Sequence, residues 1–200
     1  MAPESLERAP RRMPVTAAGQ RTRDALLDAG IAVAEKSGLS GLSVNAVVDV
    51  AGVAKGTFYV HFLDRDAFLD AMHERFYAEV AATVRAAVEH LPLGAERLAV
   101  GVDAYLDSCL VQGGVKPLLR DLHGGGCGPA ATRSMAERET AFTSLTLANL
   151  RAMRCRDVAV LGRLLTAAIS ETAVLEMEAG RRLPAARRAL TRWINAASAT

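Results

Sequence analysis

The sequence predicts an all-α protein of about nine helices, an N-terminal three-helix helix-turn-helix domain followed by a C-terminal helical body. Three observations carry this. Apolar residues recur at i, i+3 and i+4 along most of the 200-residue chain, with no strand-like alternation and no internal repeat. The stretch from Ser43 to Phe62, SVNAVVDVAGVAKGTFYVHF, reads as two short helices joined at a glycine. A long amphipathic run opening at Asp64 then outlasts anything a three-helix unit needs. At 50% hydrophobic and 23% charged residues, the composition is that of a globular chain with a sizeable core.

Residues 1–19 carry Pro3, Pro10 and Pro14 among charged and small residues and are expected to form a flexible basic tail. From Arg21 to Ser37, Leu26, Leu27, Gly30, Ile31 and Ala34 share one face of a first helix, which Gly38 and Gly41 end. Ser43 is placed to cap the next helix, whose inner face is Val44, Val47, Val48 and Ala51. Gly52 supplies the positive φ of the turn, and Val53 packs back across the corner. The following helix, from about Ala54 to His61, is about 12 Å long, close to the width of a B-DNA major groove.

Its charges are unusual for a packed corner. Lys55 opens this helix and Arg65 the next, where a cation opposes the helix dipole and costs a few tenths to about 1 kcal/mol unless an anion compensates. Thr57, Tyr59 and His61 add donors for phosphate oxygens, and Gly56 allows close approach of backbone. Arg8, Arg11, Arg12, Arg21 and Arg23 form the nearest basic cluster in sequence, suited to a minor groove or to phosphates.

The string AGVAKGTFYVHF, continued by Leu63, Asp64, Arg65, Asp66, Ala67, Phe68 and Leu69, closely resembles the DNA-binding domain of TetR-family transcriptional regulators. The resemblance covers about residues 20 to 70. It implies that Ser43 and Val44 start a backbone-touching helix, that Lys55, Gly56 and Thr57 face base edges, and that Tyr59, Val60, His61 and Arg65 line phosphates. Phe58 and Phe62 match buried positions. Ala54 stands where many relatives carry a serine cap, and Val60 where several carry an aromatic or polar residue. The domains expected are 20–63 for the helix-turn-helix unit and 64–200 for a ligand-binding and dimerisation body. The function expected is a ligand-responsive, sequence-specific regulator, a repressor released from a palindromic operator by a small apolar effector. An activator of the same architecture is the alternative; an all-α carrier or enzyme is the remote one.

Net charge is only +2, so affinity for double-stranded DNA must come from a local patch. Cys109, Cys127 and Cys155 are an odd number without paired spacing, which fits a reducing compartment, and with no leader pattern or long apolar span a cytoplasmic, membrane-free protein is expected. No cofactor and no metal are implied. The segment DLHGGGCGP, 121–129, lacks the lysine and hydroxyl of a phosphate loop, and His123 and Cys127 are too few for zinc. It reads as an interhelical loop. His61, His73, His90 and His123 form no catalytic pattern, so no enzyme is expected.

Asp64 caps the long helix to about His90, with Phe68, Leu69, Met72, Phe76, Val80 and Val84 inward, and Pro92 and Gly94 stop it. Further helices are expected over 95–112, 115–123, 129–153, 156–179 and 184–198. The 156–179 helix has two apolar stripes: Val158, Leu161, Leu165, Ala168, Ile169, Thr172 and Leu175, and Val160, Leu164, Ala167 and Val174. One faces the core and the other a partner. The homodimer interface is assigned to Val158, Leu161, Leu165, Ile169, Leu190, Trp193 and Ile194, in the four-helix arrangement the resemblance implies. An effector pocket is assigned to Phe76, Tyr105, Cys109, Leu119 and Phe142, with Glu171 at a face edge.

Overall fold

Thr16 sets where the first helix begins. Its Oγ1 accepts from the Gly19 N–H at 3.1 Å, so α1 (Ala17–Gly41) starts four residues before Arg21, where the apolar pattern placed it, and takes the last residues of the expected tail with it. The structure, a computed structural model, describes residues 16–111, 143 and 145–197. The tail before Thr16, the 115–123 helix, most of the 129–153 helix, the 121–129 loop, Leu119 and Phe142 lie outside the described residues.

Within α1, Gly38 leaves helical geometry at φ 67°, where the sequence places the stop, but helix resumes as far as Gly41. In α2 (Val44–Ala51) the Ser43 Oγ accepts from the Ala46 N–H at 3.2 Å, as the cap assignment requires. Gly52 then turns the chain at φ 66°. Its N–H reaches Asp49 O, and the Val53 N–H reaches Val48 O at 3.1 Å, which satisfies the last carbonyls of α2 in a Schellman turn. The corner leads into α3 (Lys55–His61). Next comes α4 (Arg65–Val88), capped by Asp64 Oδ1 on the Ala67 N–H at 2.8 Å.

Phe58, Phe62 and Phe68 are all buried and meet as a triangle, with ring centroids 5.4, 5.2 and 4.9 Å apart, joining α3 to α4. α1 closes over them because Gly30 has no side chain: a Cβ there would lie 2.5 Å from Phe68 Cζ. Two side chains tie the unit from outside. The Arg65 Nε donates to Leu42 O at 2.7 Å, and Arg75 on α4 pairs with Asp28 on α1 at 2.6 Å.

The body continues the same core along α4 through Met72, Phe76 and Val80 into α5 (Ala95–Val111), a helix that residues 145–152 (α6), α7 (Val158–Ala179) and α8 (Pro184–Ala197) follow. The turn after α4 is closed by Arg97, whose Nη1 donates to Val88 O and Leu91 O. α5 packs on α4, α7 and α8. All described elements are helical, and the fold class is the expected one. α7 has the length and hydropathy of a membrane span, yet it is a core helix, with Leu165, Ile169 and Ala173 at most 2% exposed.

That packing corrects part of the interface assignment. Leu165, Ile169, Leu190 and Ile194 are fully inside the protomer, and Val158 and Leu161 are half-buried against the same core. Both stripes of α7 are apolar, so periodicity could not choose between them; contact with α5 does. The outward stripe is Val160, Leu164 and Ala167 with Leu175, and Trp193 lies exposed on α8.

One polar cluster sits in this apolar body. Glu176 on α7 is 0% exposed and takes a bidentate pair from Arg187 on α8, Nε to Oε1 at 2.8 Å and Nη2 to Oε2 at 2.6 Å, plus the Leu183 N–H at 2.7 Å. Arg187 also pairs with Asp107 of α5 at 2.9 Å, and Arg182 with the same carboxylate at 2.7 Å. Burial opposes ionisation of Glu176, but the Arg187 and Leu183 hydrogen bonds outweigh it and hold its carboxyl below the usual value.

Two predictions follow from packing and charge. Gly30→Ala should lower stability by about 1–3 kcal/mol, read as a fall in denaturation midpoint, since the added methyl meets an immobile ring. Glu176, with its folded pKa depressed, stabilises fully above its unfolded value and loses that contribution as pH falls through the lower folded value. Glu176→Gln should therefore cost about 3–5 kcal/mol at neutral pH and flatten the acid limb of a stability–pH curve. An acid limb of unchanged slope in the variant would show that Glu176 does not drive it.

Candidate nucleic-acid interface

α3 offers almost all of its surface to a partner. Only Phe58 is buried; Lys55, Gly56, Tyr59 and Val60 are exposed, with Tyr59 at 51% and Val60 at 61%, and Thr57 and His61 are half-buried. A seven-residue helix pinned by one ring keeps its outer residues on a single convex ridge about 10 Å long. Nothing caps it through a side chain. Ala54 provides no acceptor, no acid lies in the first turn, and Lys55 stands at its start with no ion-pair partner among the described residues. A helix start with a cation and no carboxylate fits an external anion.

The structure brings the sequence-assigned residues together as follows. Lys55, Gly56 and Thr57 occupy the first turn of α3, and Tyr59, Val60 and His61 its second. Val44 begins α2 half-buried, beside an exposed Ser43 whose hydroxyl is already engaged as the cap. Arg65 is the residue whose part changes. Its Nε bond to Leu42 O makes it a brace between the α1–α2 connection and the base of α4, a duty that sequence alone did not signal. Arg21 is exposed on the first turns of α1, while the Arg23 guanidinium lies over the Phe62 ring, 5.2 Å from its centroid. Arg8, Arg11 and Arg12 are outside the described residues.

The body presents a different picture. Phe76 and Cys109 belong to the closed core, and Tyr105 packs against it. Burial pushes the Tyr105 phenol well above its usual value and the Cys109 thiol up to about 11, the latter eased by their mutual hydrogen bond, so both stay neutral. These three residues do come together, but as packed interior rather than as an opening. Glu171 is exposed on α7. No group of three or more possible metal ligands occurs among the described residues.

Residues 26–72 match the family of bacterial regulatory proteins described as the tetR family. No curated protein matches the chain. Among solved structures, it is similar to a transcriptional regulator from Rhodococcus sp. Rha1, at 20% identity and TM-score 0.74 over 88% of this chain and 95% of that one. It is also similar to the fatty acid degradation regulator FadR from Bacillus halodurans, at 15% identity and TM-score 0.73 over 86% and 96%. A third is reduced NemR from E. coli, at 20% identity and TM-score 0.69 over 88% and 96%. At these identities the likeness is one of fold, and it extends over the body as well as the N-terminal unit.

Gly56 gives the sharpest test of the ridge. A Cβ there meets no heavy atom within 4 Å, so Gly56→Ala should leave stability unchanged or raise it by about 0.5–1 kcal/mol while lowering affinity for specific DNA. Thermal melts beside gel shifts read the two effects separately; full DNA affinity in the variant would remove Gly56 from the contact surface.

Proposed function

We propose that this chain, a transcriptional regulator of the TetR family by its N-terminal domain, is a dimeric repressor that reads a palindromic operator and releases it when a small effector binds the helical body. The observation that carries the reading is α3: Phe58 is its one buried residue, and Lys55, Thr57, Tyr59 and His61 put a cation, two hydroxyl groups and an imidazole on exposed and half-buried positions, with no ion-pair partner for Lys55 among the described residues. Lys55, Gly56 and Thr57 read base edges. Tyr59, Val60, His61 and Arg65 face the backbone, with Arg65 also bracing the domain. Ser43 and Val44 set α2 against the phosphates.

Two copies are needed because one short helix reads too few bases. The outward stripe of α7, Val160, Leu164, Ala167 and Leu175, together with Trp193 on α8, supports pairing of these two helices with their copies in a four-helix contact. The single hydrophobic core that runs along α4 links body to recognition helix without a flexible joint, which supports transmission from an effector. Coupling of 1–3 kcal/mol would weaken operator binding by about 5- to 150-fold, and the operator would weaken effector binding by the same factor.

Selection from randomised duplexes with the purified chain should return a palindrome. Trp193→Glu, at an exposed position, should leave the fold intact, give a monomer by light scattering and weaken binding to that palindrome at least tenfold. A wild-type monomer at micromolar concentration, or selection of an asymmetric site, would overturn the dimeric reading.

A further inference from the structure

Successive residues of an α-helix are turned by about 100°, so Phe58, the one inward side chain of α3, fixes where every other side chain of that helix points. Gly56 and Val60, two residues before and after it, both fall within about 20° of the opposite direction. They form the crest of the ridge. Lys55 and Tyr59 lie on one flank of it and Thr57 and His61 on the other, so two polar rows enclose an apolar strip.

A valine has no structural reason to stand there. Val60 is 61% exposed and is not among the described side chains that pack on the hydrophobic core. It has neither donor nor acceptor for a phosphate oxygen, and its β-branch makes it a poorer helix former than alanine. Gly56 is its neighbour four residues back on the same ridge. A Cβ at Gly56 would meet no heavy atom within 4 Å, so the space beside the valine is a notch open to a partner.

A ridge laid into a major groove turns its flanks to the two backbones and its crest to the base edges. On those edges the one apolar group is the thymine 5-methyl. We propose that Val60 reads a thymine through that methyl, with Gly56 leaving room for the base pair to come up against the helix. The inference rests on the DNA-binding reading above, and it moves Val60 from the row of backbone contacts to the row that specifies sequence. No hydrogen bond is involved, so the preference is for the methyl itself.

Fluorescence anisotropy titrations of the full chain on the duplex it selects, with deoxyuridine replacing thymine one position at a time, test this. The exchange removes the methyl and keeps every hydrogen bond of the base pair. At one thymine per half-site, replacement should weaken wild-type binding about fourfold, the equilibrium equivalent of burying one methyl. Val60→Ala should bind the thymine and uracil duplexes equally at that position, while replacements elsewhere act as in the wild type. Its melting temperature should be unchanged or higher, since alanine is the better helix former at an exposed site. A selected site with no fixed thymine, wild-type tolerance of uracil at every position, or an unchanged uracil penalty in Val60→Ala, the mark of a backbone contact, would each overturn the proposal. Wild-type affinity for the unmodified duplex, measured in the same titrations, tests DNA binding by itself: tight binding without a methyl effect removes this inference alone, and no binding removes both.

Discussion

Three phenyl rings fix the position of α3. The helix is too short to be stable alone and has no side-chain cap, so its attitude on the protein depends on Phe58, held between Phe62 and Phe68 at centroid separations near 5 Å. Each ring belongs to a different step of the chain: the helix itself, its exit, and the first turns of α4. Gly30 completes the arrangement by bringing α1 into contact with Phe68, and Arg23 covers the open face of Phe62. Outward residues on α3 are free to be chosen for a partner because a single inward residue suffices to anchor them.

The body solves a different problem. Its helices are built from Ala, Val and Leu with few aromatic anchors, and such surfaces pack in many ways. The Glu176–Arg187 pair restricts the choice. A buried carboxylate with a bidentate guanidinium and a backbone N–H tolerates one relative position of α7 and α8, and the Asp107 contacts add α5 to the same point. With that register set, Leu165, Ile169, Leu190 and Ile194 turn inward together, and the second stripe is left outside. A buried ion pair often adds no more stability than apolar residues of equal volume, but removing one partner is costly, which ties α7 to α8 at this point.

Much of the N-terminal unit was legible because its signals are local. Ser43, Gly52 and Asp64 act within four residues of themselves, and each does what its type and position imply. The start of α1 was misplaced because Thr16 lies ahead of the first apolar repeat, where a cap is indistinguishable from a tail hydroxyl. The contact of Arg65 with Leu42 spans 23 residues and left no trace in spacing. Among the described residues of the body, an amphipathic pattern named α5, α7 and α8 and their limits to within a few residues. It could not rank two apolar stripes, nor reveal that Glu176 rather than Glu171 is the carboxylate that matters, since Arg187 lies across a turn on another helix. Residues 26–72 carry a recognisable family signature for the same reason: their constraints are short-range and recur in order along the chain.

α4 spans 24 residues, about 36 Å, with one end under the phenyl triangle and the other braced by Arg97. A rod of that length is a lever. Tilting it by about 5° at the body displaces the far end by roughly 3 Å, close to the spacing of about 3.4 Å between successive bases on a strand. In the regulator proposed above, a tilt of that size would move α3 by about one base step along a duplex, so the coupling between body and DNA would need only a small change of angle.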